Sequence, residues 1–119
     1  MRLPSQFWVK AFLRTVASAG AIATVARHGD DARGAIYVKV SRLDGTAALY
    51  VPAPTGLSGT DDWSAPDRLW VLGLAPGTKD TDVEARLAKE LRFDSDAWVI
   101  EVEDRMARHF LDGSIVVGP

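Results

Sequence analysis

At 119 residues the chain has the length of one domain, and a second hydrophobic core would be too small to be stable. Apolar residues make up 47% and charged residues 25%, a globular balance, and a net charge of −2 creates no large field of either sign. The arginines lie dispersed among carboxylates instead of forming the basic face that phosphate backbones require, so nucleic acid is an unfavoured partner. The absence of cysteine removes disulfides, thiolate nucleophiles and cysteine-ligated metal, and is compatible with a cytoplasmic setting.

The N-terminus imitates a secretory signal only loosely. Lys10 and Arg14 interrupt its apolar stretch at helical spacing, and no window approaches the ~20 apolar residues of a membrane span. Between Ser5, a candidate N-cap, and Gly20, a helix stop, Trp8, Ala11, Phe12, Thr15, Val16 and Ala19 recur at three- and four-residue steps. This predicts an amphipathic helix with a wide apolar side. Residues 21–27 read as a first strand, and the polar, glycine-bounded residues 28–34 as a loop.

Residues 35–43 alternate, with Ile36, Val38 and Val40 on one side and Tyr37, Lys39 and Ser41 on the other. Asp44-Gly45 is the preferred pair for a two-residue type I′ turn. That turn would set Arg42 opposite Ala47, Val40 opposite Leu49 and Val38 opposite Val51. Pro52 and Pro54 end the strand. Residues 55–67 predict a mobile loop carrying Trp63, residues 69–74 a short interior strand, and Pro76-Gly77 a turn.

Thr81-Asp82-Val83-Glu84 has the form of a capping box, and Val83, Leu87 and Leu91 make a stripe at four-residue spacing. Asp82 and Arg86 are spaced as an i,i+4 pair, and the helix should end near Phe93. Trp98, Ile100 and Val102 alternate with Val99, Glu101 and Glu103, which predicts a half-exposed strand. Residues 103–111 then either turn at Met106-Ala107 and return as a strand or wind into a short helix ended by Gly113; Met and Ala lean toward helix.

The order α-β-β-β-β-α-β plus a C-terminal hairpin or short helix defines a single α+β domain over residues 1–119. An antiparallel sheet of four to six strands is expected, with two helices on one face.

Three segments carry a family resemblance. They are Leu3-Pro4-Ser5-Gln6-Phe7-Trp8-Val9; Gly34 to Val40 running through Arg42-Leu43-Asp44-Gly45-Thr46 to Pro54; and Arg92-Phe93-Asp94 followed by Trp98 to Arg105 and Arg108 to Leu111. In these the chain resembles the DUF1491 family, small alphaproteobacterial proteins of unknown function. The resemblance implies a bacterial origin and a cytoplasmic setting. It favours the hairpin over the helix at the C-terminal end, and it supplies no activity, substrate or catalytic residue.

The densest chemistry lies in Glu101, Glu103, Asp104, Arg105, Arg108 and His109. Glu101 and Glu103 share one face of a strand and could serve as paired carboxylates. A turn at Met106-Ala107 would set Asp104 opposite His109, an arrangement that orients an imidazole as a base, and Arg105 opposite Arg108. The same alternation is also that of an ordinary half-exposed strand. His28 with Asp30 and Asp31 reads as a turn before a metal set, and residues 73–81 lack the spacing of a phosphate loop. No cofactor and no metal is implied, and no small-molecule ligand is specified.

Tyr37, Lys39 and Tyr50, with Lys39 facing Tyr50 across the hairpin, would form an aromatic and basic sheet face suited to a binding role. Trp63 would be a loop anchor. These features favour a non-enzymatic binding or assembly module working as a homodimer or on a protein partner. The alternative is a small acid–base or metal-dependent hydrolase built on Glu101, Glu103, Asp104 and His109.

Overall fold

The computed structural model describes residues 3–54 and 68–115; Trp63 and the rest of residues 55–67 lie outside the described part. Seven elements follow in the predicted order: α1 (Ser5–Ser18), β1 (Ile22–Arg27), β2 (Ile36–Ser41), β3 (Thr46–Pro52), β4 (Trp70–Lys79), α2 (Asp80–Phe93) and β5 (Trp98–Glu103). The strands form one five-stranded sheet in the order β1-β5-β2-β3-β4. Every neighbouring pair is antiparallel except β2 and β5, which run parallel. The fold class is therefore α+β, with a mixed, mostly antiparallel sheet.

The sequence suggested two helices on one face; instead they cover opposite faces of the sheet. Val9, Phe12 and Val16 of α1 pack with Ile36, Val38, Val40, Ala48, Tyr50, Trp98, Ile100 and Val102. Val83 and Leu87 of α2 pack with Tyr37, Ala47, Leu49 and Val99 on the opposite side. The physical reason is the side-chain alternation of the strands: β2, β3 and β5 carry apolar residues in both phases, so each face needs a cover.

Several local expectations give way to tertiary contacts. Ser5 is the first residue of α1 and fully buried; its Oγ donates to the Gly34 carbonyl at 2.6 Å and accepts from Arg68 at 2.8 Å. The helix start is instead closed by the loop, with Ser5 N–H bonded to the Ala32 carbonyl and Gln6 N–H to that of Asp31. α2 begins one residue before Thr81, so the capping box cannot form; Asp80 N–H is bonded to the Gly45 carbonyl at 2.9 Å. Arg86 pairs with Glu90 at 2.8 Å, not with Asp82.

The hairpin is displaced by one residue from the expected register. Val38 faces Tyr50, Lys39 faces Leu49, Val40 faces Ala48 and Ser41 faces Ala47. Arg42 N–H bonds the Thr46 carbonyl, leaving a three-residue loop in which Leu43 (φ 63°) and Gly45 (φ 86°) take the left-handed conformation. Asp44 stabilises that loop by accepting from the backbone and hydroxyl of Thr46. The expected register matched apolar residues equally well because both faces of β3 are buried, so hydrophobic pattern alone could not select it.

β4 continues through Pro76-Gly77, where a turn was expected. It is an edge strand, and its register shifts between Ala47 and Leu49 of β3, so the proline lies in a bulge where no ladder donor is needed. Gly77 supplies a φ of 96° there.

The C-terminal segment is neither hairpin nor helix. After β5 the chain turns through Ala107 (φ 59°), whose N–H bonds the Asp104 carbonyl, and through Phe110 (φ 60°). Leu111 is then buried against the α1 side, and Ile115 makes a parallel bridge to Trp70.

Candidate functional site

Apart from Trp63, which lies outside the described residues, each predicted site residue has a definite place. Lys39 lies on the α2 face of β2 and is only 4% exposed. Its Nζ reaches Asp80 at 2.6 Å and Glu84, both on α2, and Glu101 on β5 at 3.6 Å. Burial by itself would lower the lysine's pKa. The hydrogen bonds to Asp80 and Glu84, with the field of Glu101, overcome that and hold it well above its ordinary value of 10.5. An ammonium held this firmly has no lone pair to offer at neutral pH, so Lys39 acts as a cation that docks α2 on the sheet and not as a nucleophile.

Tyr50 does not meet Lys39. The one-residue register shift turns it to the α1 face, where its ring makes an edge-type contact with the His109 imidazole at 5.1 Å between centroids. Tyr37 stays on the α2 face, its hydroxyl 3.4 Å from Glu90; burial first, then the Glu90 and Asp94 charges, raise its pKa. The expected aromatic and basic sheet face is thus split between the two sides, and both are covered.

The predicted Asp104–His109 contact is absent. Asp104 accepts from Arg108 at its backbone N–H (2.8 Å), Nε (3.0 Å) and Nη2 (3.0 Å), and these bonds hold its carboxyl below the usual carboxylate range. His109 Nδ1 accepts from Leu111 N–H at 2.8 Å. Glu101 and Glu103 project to the α2 side, whereas His109 packs on the α1 side, so the four residues do not converge. Arg105 lies exposed in the turn, and the Arg108 guanidinium stacks over Phe110 at 5.0 Å. His28 pairs with Asp31 at 2.7 Å and stacks on Trp98, while Asp30 accepts from the Ala32 and Arg33 amides; this is the turn that was expected.

What sequence reasoning missed is the open side of the α2 face. α2 packs over the β3 and β4 half of the sheet, which leaves the β1 and β5 half with a groove beside the helix. A cavity of about 210 Å³ lies there, floored by Leu87, Leu91 and Val99 and rimmed by Arg27, Glu84 and Glu101. Along it runs β1, an edge strand with Ile22 58% and Val25 39% exposed. The signal was partial: residues 22–27 contain no proline, lysine or carboxylate, and their one charged residue, Arg27, stands at the end of the strand. No periodicity shows which strand will lie at an edge.

A mixed sheet with one helix on each face, an open edge and a shallow apolar groove defines a small α+β domain, without a convergent catalytic cluster among the described residues. A family model described as a protein of unknown function, DUF1491, matches residues 3–112, and the chain belongs to that family. It is similar to the crystal structure of a DUF1491 family protein from Caulobacter crescentus CB15, 38% identical, with a TM-score of 0.77 over 98% of this chain and 100% of that one. It is equally similar to the solution structure of protein Atu0922 from A. tumefaciens, 37% identical, with a TM-score of 0.78 over 100% of this chain and 98% of that one. An NMR structure of a Caulobacter DUF1491 protein matches at 39% identity and a TM-score of 0.77. No curated protein matches the chain. No helix among the described residues is long and apolar enough to cross a membrane.

Proposed function

We propose that this protein is a non-enzymatic binding module of the bacterial cytoplasm that engages a protein partner along the β1 edge and the adjoining groove. The carrying observation is the contrast between the two sheet edges. β4 is bulged, contains Pro76 and is bridged by Ile115, all of which discourage strand addition. β1 has none of these apart from one irregularity between Val25 and Arg27, and five of its six residues are exposed. An open edge offers a row of backbone donors and acceptors to an extended partner, and apolar neighbours such as Ile22 and Val25 add burial.

The hydrolase reading has against it that Asp104 is committed to Arg108 and His109 to Tyr50 and Leu111. Two measurements test the module. A photoreactive residue replacing Thr24 should give a discrete adduct in the protein's own cell, while one replacing the exposed Lys10 should not. A functional protein that forms no adduct at Thr24 overturns the proposal. His109→Ala should leave biological activity intact, and its loss in a folded variant would return the enzyme reading to the front.

A further inference from the structure

We infer that the partner is a second copy of this chain, joined by antiparallel pairing of β1 with β1 about a two-fold axis at Thr24; this rests on the binding role proposed for the β1 edge. Directly opposite residues of an antiparallel ladder share a face. In β1, Ile22 and Thr24 lie on the groove face with their β5 partners Glu103 and Glu101, while Ala23 and Val25 lie on the α1 face with Val102 and Ile100. Ala26 and Arg27 line the groove. Only a register that keeps these phases matched is allowed. Centred on Thr24, it sets Ala23 against Val25 of the second copy and Thr24 against its Thr24, with Ile22 beside the bulge at its Ala26. Each pair is apolar or a threonine pair, both favourable cross-strand combinations.

Charge selects the same arrangement. Arg27 and Glu103 take part in no ion pair among the described residues. The Arg27 guanidinium donates to the neutral carbonyls of Ala97 and Ser95. Glu103 sits beside Ile22, at the opposite end of the strand pair. The two-fold axis carries the arginine end of each copy to the glutamate end of the other, on the same face and one strand apart. The β1 edge is therefore complementary in charge to itself when reversed, and the closed symmetry buries both edges at once. The product is one continuous ten-stranded sheet.

The test is light scattering of the full chain over a range of concentrations. The expected mass rises from 12.9 kDa toward twice that value. Thr24→Lys sets two ammonium groups opposite each other on the axis and should return the protein to monomer without loss of fold, because Thr24 is exposed. Glu103→Arg should weaken the dimer about tenfold or more by setting like charges together twice. Adding Arg27→Glu to Glu103→Arg should recover most of that loss, which general destabilisation would not do. A dimer indifferent to Thr24→Lys overturns the inference, since its interface lies elsewhere. A strict monomer also overturns it; a photo-adduct at Thr24 of a mass other than twice the chain would then leave the binding role standing with a different partner.

Discussion

Lys39 is the residue on which the α2 face is organised. One ammonium, almost wholly buried, is shared by Asp80, Glu84 and Glu101 from two other elements. Lys39→Met would leave those carboxylates facing each other with no counter-charge. Because they are themselves partly exposed, the cost should fall between that of a surface pair and a buried one, about 2 kcal/mol by urea unfolding. The sign of the pH dependence follows from the raised pKa. The folded state holds the lysine proton more tightly than the unfolded chain, so its contribution is complete below about pH 10. It is lost as pH climbs past the ordinary value of 10.5 toward the raised one. Tyr37 and Tyr50, whose pKa values burial also raises, act in the same direction. Wild-type protein should therefore lose stability as the pH rises above about 10, and Lys39→Met should flatten the part of that fall above 10.5.

At the scale of elements, two connections hold strain or close contact that substitutions can probe. Leu43 adopts φ 63° in the β2–β3 loop with its side chain 53% exposed. A left-handed leucine costs about 1–2 kcal/mol, and asparagine tolerates that conformation better. Leu43→Asn should raise the thermal midpoint, with a gain of about 0.5–1 kcal/mol. The loop of residues 28–34 shows the opposite case. A methyl group at Gly34 would stand 2.3 Å from the Asp96 carbonyl and 2.8 Å from Trp98 Cδ1. Gly34→Ala must push the loop away from the start of β5 and disturb the Ser5–Gly34 bond that anchors α1. It should cost about 1–3 kcal/mol in chemical denaturation. The C-terminal turn rests on Asp104, whose lowered pKa makes its contribution present above the ordinary 3.8 and lost as pH falls through the depressed value. Asp104→Asn should cost about 1–2 kcal/mol at neutral pH and less in acid.

For the molecule as a whole, burial is graded across the sheet. β5 and β2 bury Ile36, Val38, Val40, Ile100 and Val102 on the α1 face and Tyr37 and Val99 on the α2 face, while β1 is almost wholly exposed. Amide exchange should be slowest in β2, β3 and β5 and fast at the outward amides of β1 in dilute protein. Dimerisation through β1 would slow those outward amides selectively as concentration rises.

The sequence alone determined the seven elements and their order, because amphipathic period, strand alternation and Gly or Pro punctuation are local properties. The stripe Val83-Leu87-Leu91 and the alternation of β2 and β5 reappear in the folded molecule, whereas in α1 the buried row is Val9, Phe12 and Val16, and Ala11, Thr15 and Ala19, expected on the apolar side, are exposed. The family resemblance was legible in the same segments. Tertiary structure decided what those patterns leave degenerate. With both phases of β3 apolar, a hairpin register and its one-residue neighbour bury similar side chains, and the loop around Asp44 and its contact with Asp80 selected between them. Ser5, Glu84 and Asp104 each had a good local partner in the sequence, yet distant groups that only the fold brings near (Gly34, Lys39) or a turn that propensity disfavours (Arg108) took their hydrogen bonds. The same holds for the candidate site. Whether a strand lies at an edge depends on its neighbours in space, so the exposure of β1 and the placing of Arg27 and Glu103 at opposite ends of the β1–β5 pair follow from the insertion of β5 between β1 and β2, antiparallel to β1.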